Sequence, residues 1–223
     1  HYNRKKHPVD FGTDKAVNRK KFAKTAQLVF QDPYSSLNPR MTVRDIIAEP
    51  LEAMKLTKNR DETDKKVIAI AKRCHIDVAH LRRFPHAFSG GQRQRISIAR
   101  ALVCKPKFIV ADESVAALDV SIQAEILALL KELREELGIT ILFISHDLSV
   151  IANLCDWVCV MKHGELIEQG NVRDIFLAPQ ETYTQQLIAS IPLLEKKSNT
   201  NIKQKTKPLA QTQDQRNHVW EVG

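Results

Sequence analysis

The sequence has few cysteines, few glycines and no long apolar run. Its apolar stretches, such as FIVA and ILFI, are far shorter than the roughly 20 residues that cross a bilayer, and no signal-like apolar segment opens the chain. The four cysteines form no C-x-x-C pair, which argues against a disulfide framework and a structural zinc site; they are Cys74, Cys104, Cys155 and Cys159. We therefore expect a globular cytosolic chain, held at a membrane only by partners.

Aromatic residues are also scarce, at 6% of 223 residues, although the formal net charge is +8. Much of the positive charge lies near the ends, in HYNRKKHP and KKSNTNIKQKTKP, and the sequence shows no interleaving of basic and aromatic residues of the kind that stacks bases. Basic charge alone is compatible with nucleic acid, anionic lipid or nucleotide phosphate. Nucleic-acid binding is therefore kept only as an alternative.

The few glycines do not make a phosphate-binding loop of the G-x-x-x-x-G-K-[S/T] type, since no glycine is followed by lysine. A different glycine pattern is present in FSGGQRQRISIAR, residues 88–100. Ser89 precedes two glycines and an apolar stripe, which predicts a helix that begins near Gly90 or Gly91 with a serine at its N-terminus. Such a helix end, with its free N–H groups, attracts an anion.

The rest of the chain alternates strands with helices. AQLVF predicts a short strand before the turn QDPYSSLNP, and a helical insert follows over about 41–83, with Pro50 interrupting its first helix. KPKFIVADES and ITILFISHD predict two central parallel strands, the first buried on both faces. Ser121 is the expected cap of the helix between them, Gly138 its end, and a pair of strands joined at His163-Gly164 follows. This order predicts a doubly wound α/β sheet with ligands at the carboxyl ends of its strands.

The polar residues at those ends occur in a recognisable order. A glutamine follows the first strand, Ser-Gly-Gly-Gln opens a helix, Asp-Glu ends the next strand, then comes ALD, and a histidine ends the last parallel strand. Each alone has an ordinary structural explanation, such as capping a turn. Together, from about residue 20 to 192, they resemble the ATP-binding cassette (ABC) ATPases, which implies a RecA-like P-loop NTPase fold with a helical subdomain, about 41–100, between the Q-loop and the signature.

The resemblance implies a role for each residue, with ATP and Mg²⁺ as cofactors. It assigns Glu113 to orienting the attacking water, Gln31 and His146 to catalysis, and Asp112 with Gln31 to Mg²⁺. It places Asp119 in the D-loop. The signature residues would bind the nucleotide of a second, head-to-tail cassette; they are Ser89, Gly90, Gly91 and Gln92.

Two departures from the family pattern accompany these matches. Ser114 stands where proline usually follows Asp-Glu, and the P-loop expected some fifty residues before Gln31 is absent. HYNRK resembles the strand after the P-loop helix. The sequence is therefore interpreted as an N-terminally truncated cassette: residues 1–177 a partial nucleotide-binding domain, 178–194 a C-terminal extension and 195–223 a basic tail.

FQDPYSSLNPRMTV, FPHAFSGGQRQRISIARAL, ALDVSIQAEIL and APQETYTQQLIASIP resemble the oligopeptide, dipeptide and glutathione importer ATPases. This implies partners: a second ATPase subunit, integral permease subunits and, indirectly, a solute-binding protein, but no nucleic acid. The implied location is the cytoplasmic face of the plasma membrane. Tyr34, Leu37 and Arg40 are the expected contacts with the permease.

Two alternatives remain at this stage. One is a non-catalytic or decayed cassette that only completes a partner's ATP site, as the missing P-loop suggests. The other is a soluble ABC ATPase acting on nucleic acid or the ribosome, although such proteins typically carry two cassettes or a long coiled-coil insertion, and neither is present.

Overall fold

The computed structural model describes residues 22–191. The expectations for HYNRK and for the basic tail lie outside these residues. The elements follow in the order β1 (Ala26–Val29), α1 (Val43–Ala53), α2 (Arg60–Arg73), α3 (Gly90–Leu102), β2 (Phe108–Asp112), α4 (Val120–Leu137), β3 (Thr140–Ile144), α5 (Leu148–Leu154), β4 (Trp157–Lys162), β5 (Glu165–Asn171), α6 (Val172–Leu177) and α7 (Thr182–Ala189), with two 3-10 turns at Val78–His80 and Pro85–Ala87.

The first three strands form a parallel sheet in the order β1-β2-β3. Leu28 is in register with Val110, and Val110 with Leu142, so the carboxyl ends of the three strands lie at one edge. Each crossover contains helices, as parallel pairing requires. The predicted parallel α/β arrangement is therefore confirmed.

The two faces of this sheet differ in burial. Val29, Ile109 and Phe143 point to the face that belongs to the core, together with the apolar sides of α3 and α4. The opposite face is open around Leu142 and Ile144, which are 43% and 44% exposed. The expectation that β2 is buried on both faces is therefore too strong, because Phe108 and Val110, which point to the same side as Leu142, are only partly buried.

The predicted helical insert is present as α1 and α2. Thr42 and Asn59 cap their N-termini by accepting the N–H groups of Asp45 and Glu62. Pro50 does not interrupt α1, which continues to Ala53. Proline removes one hydrogen bond, but its carbonyl still accepts the N–H of Met54, so the last turn closes around it.

Side-chain and backbone caps fix the ends of α3 and α4. Ser89 and Gln92 form a capping box at the start of α3, as the serine before Gly-Gly predicts. The cap of α4 is Asp119 and not Ser121, because the Asp119 carboxylate accepts the N–H of Ile122 at 3.0 Å. Gly138 ends α4 with a left-handed φ of 61°, which confirms the predicted stop.

The predicted strand pair is β4 and β5, an antiparallel hairpin. His163 and Gly164, at φ 52° and 83°, make its turn. Helix α7 lies against this hairpin, where the Lys162 ammonium sits 4.3 Å from the centre of the Tyr183 ring. Among residues 22–191, no helix is both long and apolar enough to span a bilayer.

Candidate functional site

The backbone at Glu113 turns sharply at the end of β2. Glu113 has φ 41°, in the left-handed region that costs a non-glycine residue roughly 1 kcal/mol or more. Its N–H donates to the carbonyl of Ile144 at 3.0 Å, which ties the turn to the end of β3. Strain of this kind concentrates where a side chain must be aimed.

The Glu113 carboxylate is the centre of a three-residue cluster. Gln31 Nε2 donates to Glu113 Oε2 at 2.5 Å, and His146 Nδ1 lies 2.9 Å from Glu113 Oε1. Gln31 comes just after β1 and His146 just after β3, so parallel pairing brings both to the edge where Glu113 lies. The structure thus brings together the three residues that the sequence predicts as catalytic.

The side chains of this cluster differ in their exposure. His146 is exposed and Glu113 is partly covered. A partly covered carboxylate with a neighbour on each oxygen is held in one orientation, while the His146 ring can still reach a molecule above the sheet edge. The cluster therefore presents one fixed acceptor and one accessible imidazole.

The same edge offers oxygen atoms that suit Mg²⁺. The exposed Asp112 carboxylate precedes Glu113, and Gln31 uses its amide nitrogen on Glu113, which leaves its carbonyl oxygen as an acceptor. Residues 22–191 contain no group of three or more His, Cys, Asp or Glu side chains able to hold a metal ion. Mg²⁺ commonly uses one or two protein ligands together with water and substrate phosphates, so this donor set fits it.

The signature residues form a second group, at the start of α3. Ser89 Oγ accepts the N–H of Gln92 at 3.3 Å, and Gln92 Oε1 accepts the N–H of Ser89 at 3.0 Å. A Cβ atom on Gly91 would overlap Ile122 Cγ2, so α3 reaches α4 only because this residue has no side chain. No hydrogen bond joins this group to the Glu113 cluster among the residues described.

Asp119 takes part in the local structure of this second group. Its carboxylate is used to cap α4, and Leu118, just before it, would lie 3.3 Å from a Cβ on Gly90. The predicted D-loop and the predicted signature are therefore packed against each other.

Two arginines that the sequence analysis missed fix the loop after β1. The Arg93 guanidinium lies 4.1 Å from the centre of the Tyr34 ring and also donates to the carbonyl of Phe88 at 3.0 Å. Arg100 donates to the carbonyl of Ser36 at 2.7 Å. Burial lowers the pKa of Arg100. Their roles could have been inferred from the sequence, because both arginines lie on the helix after Ser-Gly-Gly, about one and three turns from its start.

The three residues expected to contact a permease do not share one environment. Tyr34 is 58% exposed and Arg40 is exposed, so both are available to a partner. Leu37 is only 2% exposed and belongs to the main core. The expectation that Leu37 offers a direct contact is therefore wrong: its side chain holds the loop on the core.

Known proteins share extended sequence similarity with this chain. A family model described as ABC transporter matches residues 4–116. The oligopeptide transport ATP-binding protein OppF of Streptococcus mutans is 47% identical over 196 residues, which are 86% of this chain and 64% of the relative. The glutathione import ATP-binding protein GsiA of Pectobacterium atrosepticum is 48% identical over 169 residues, or 76% of this chain and 27% of the relative.

Solved structures agree in fold. CbiO1 from Clostridium perfringens, part of the ABC transporter complex cbiONQ, matches with a TM-score of 0.68 at 32% identity. The match covers 88% of this chain and 73% of CbiO1. The ATP-binding cassette MJ0796, in a dimer bound to ADP and Pi, matches with a TM-score of 0.62 at 29% identity. The match covers 73% of this chain and 69% of the MJ0796 chain. The chain spans slightly less than two thirds of the length of the OppF relatives it matches.

Proposed function

Because this chain belongs to the ABC transporter family, we propose that it is an ATP-hydrolysing subunit of a membrane importer for peptides or related small solutes. Its α/β fold is that of the solved ATP-binding cassettes. The observation that carries the proposal is the Glu113 carboxylate, held between Gln31 and His146 at the sheet edge. Relatives named as oligopeptide, dipeptide and glutathione transport proteins support the substrate class.

Glu113 is the proposed general base. Phosphoryl transfer to water depends on an in-line water and on stabilisation of negative charge, and a fixed carboxylate can orient that water and accept its proton. Gln31 and His146 keep the carboxylate in place before the reaction. His146, whose side chain is exposed at the sheet edge, is the proposed contact with the terminal phosphate.

Asp112 and the free carbonyl of Gln31 are the proposed protein ligands of Mg²⁺. When bound, this ion neutralises charge on the phosphate oxygens. The position of Gln31 has a second consequence, since one amide would face both the ion and Glu113. A change in ion occupancy would then move the loop that continues through Tyr34.

The N-terminus of α3 is the proposed grip on a nucleotide carried by a second cassette. Gly90 and Gly91 supply N–H groups at the positive end of a 13-residue helix, and the Ser89 hydroxyl stands beside them. The partner subunit is thus of the same family, either a second copy or a related chain.

We place the chain on the cytoplasmic face of the membrane, bound to permease subunits through Tyr34 and Arg40, with a solute-binding protein acting indirectly. Both residues are exposed in the loop after β1, and the Arg93 guanidinium packs on one face of the Tyr34 ring. An exposed aromatic ring backed by a cation is a suitable interface anchor. We expect Tyr34→Ala to weaken co-purification with the permease without unfolding the chain.

The test measures ATP hydrolysis and peptide uptake by the chain after it has been co-purified with its membrane subunits and reconstituted in vesicles. Peptide-dependent ATP turnover and uptake are expected. Pairing with a second cassette in the presence of ATP, but with no turnover attributable to Glu113, would instead favour a subunit that only completes its partner's site. Stimulation by RNA or ribosomes, without membrane subunits, would refute the importer role.

A further inference from the structure

The packing of α3 on α4 continues beyond the glycine contact, through Arg95. The Arg95 side chain is only 15% exposed, and its Nη2 donates to Glu125 Oε2 on α4 at 3.0 Å. Arg95 follows Gly91 by four residues, and Glu125 follows Ile122 by three. On helices these spacings select the same faces, so the ion pair lies one turn along the contact that Gly91 and Ile122 begin.

Arg95 is also linked to the helical insert. Its Nη1 lies 3.3 Å from Nδ1 of His75, just after α2. His75 is held at φ 55°, and its Nε2 is 3.7 Å from Glu132 of α4. The guanidinium therefore joins three segments: the end of the insert, the signature helix and the helix that Asp119 caps.

Three of the four glutamates on α4 form one stripe, because positions 125, 132 and 136 are separated by seven and four residues. Each faces a basic residue of the region between β1 and β2: Arg95, His75 and, for Glu136, Arg73 at 3.1 Å. Arg95 is the one among these three that lies on the signature helix and is mostly buried. Arg95 is thus placed to fix the orientation of α3 relative to α4.

We propose that Arg95 is a positioning residue for the nucleotide contact made by the start of α3. The Gly91–Ile122 contact fixes the approach of α3 to α4 at the first turn of α3. The Arg95–Glu125 pair adds a second point and fixes the direction of the Gly90 and Gly91 N–H groups relative to Asp119. This inference rests on the proposed function, because the nucleotide is the ligand that those N–H groups would bind.

The first test measures ATPase as a function of ATP concentration in the assembly with the membrane and partner subunits. N–H groups that contact the nucleotide before and during the reaction contribute uniform binding, so their misplacement raises KM more than it lowers kcat. For Arg95→Gln we expect KM to rise about 10-fold and kcat to change less than about 3-fold, since small displacements of positioned groups have effects of this order or larger.

Two sets of variants separate positioning from general loss of an ion pair. Arg73→Gln removes a pair from the same stripe without touching α3, and its KM is expected to match that of the wild type. Reversing the pair, with Arg95→Glu and Glu125→Arg together, is expected to bring KM back to within about 3-fold, while Arg95→Glu alone does not. An unchanged KM in Arg95→Gln, an equal rise in Arg73→Gln, or no recovery on reversal would overturn the proposal.

The second test does not depend on ATP. Hydrogen exchange of the full chain is followed at the amides of residues 93–96, in the first turns of α3, where the N–H of Arg93 donates to the carbonyl of Ser89. Exchange is expected to be at least about 5-fold faster in Arg95→Gln and unchanged in Arg73→Gln. Unchanged exchange in Arg95→Gln overturns the inference. An assembly that hydrolyses no ATP refutes the proposed function, and this second test then decides the role of Arg95 by itself.

Discussion

Replacing Gly91 with alanine adds a methyl group between α3 and α4. The new Cβ would overlap Ile122 Cγ2 and lie 3.7 Å from Ile122 Cβ. Cγ2 is bonded to Cβ, and a branched side chain in a helix has little rotamer freedom, so Ile122 cannot simply swing away. Overpacking of this kind costs about 1–3 kcal/mol, while alanine in place of glycine in a helix returns up to about 1 kcal/mol. We expect Gly91→Ala to lower the free energy of unfolding by about 1–2 kcal/mol.

Gly90→Ala is the matched control. The nearest atom to its Cβ would be Leu118 Cδ2 at 3.3 Å, at the end of a flexible side chain, so the helix preference of alanine should dominate. Urea unfolding followed by circular dichroism compares the two variants, alone and combined with Ile122→Ala. The penalty of Gly91→Ala should disappear in the Ile122→Ala background. A neutral Gly91→Ala variant, or a penalty that persists without Ile122, would refute the packing argument.

Three further predictions concern residues outside this contact. Leu37→Ala should lower the free energy of unfolding by about 2–5 kcal/mol in a denaturant titration, because the side chain is buried; near-neutral unfolding would contradict its place in the core. Thiol labelling at pH 8 should modify Cys159 well before Cys74, because burial raises the pKa of Cys74 to about 12, and equal rates would be inconsistent with this. The pKa of Asp147 is lowered, mainly because its carboxylate accepts a hydrogen bond from the Ser149 hydroxyl and, to a smaller extent, from the N–H groups of Ser149 and Val150. The ionised Asp147 carboxylate therefore stabilises the fold above the ordinary pKa of aspartate, and this contribution is lost as the pH falls through the lowered pKa. Between about pH 5 and pH 3, the free energy of unfolding should fall more in the wild type than in Asp147→Asn, and equal losses would refute this.

Local sequence signals predict most of the elements that position the site. Short apolar runs that end in polar residues place Gln31, Glu113 and His146 at the carboxyl ends of β1, β2 and β3, and parallel pairing then brings them together. The start of α3 follows from Ser89 before two glycines. These predictions depend on short stretches of chain and on one rule about parallel sheets.

Other features depend on contacts between segments that are distant in sequence. Leu37 stands in a turn of polar residues, and nothing local shows that the turn folds back onto the core. The pairing of Arg95 with Glu125 joins residues 30 positions apart on two helices, so neither helix pattern reveals it. The open face at Leu142 escaped prediction because an apolar strand gives no information on what covers it.

The role of Glu113 is tested most directly by Glu113→Gln in the chain assembled with its partner and membrane subunits. Glutamine keeps the shape and can still meet Gln31 and His146, but it cannot accept a proton from water. Steady-state ATPase should fall by at least about 100-fold, while ATP-dependent pairing of the cassettes, measured by gel filtration, should be retained. A variant that keeps more than about a tenth of wild-type turnover would show that the base is elsewhere and would contradict the account.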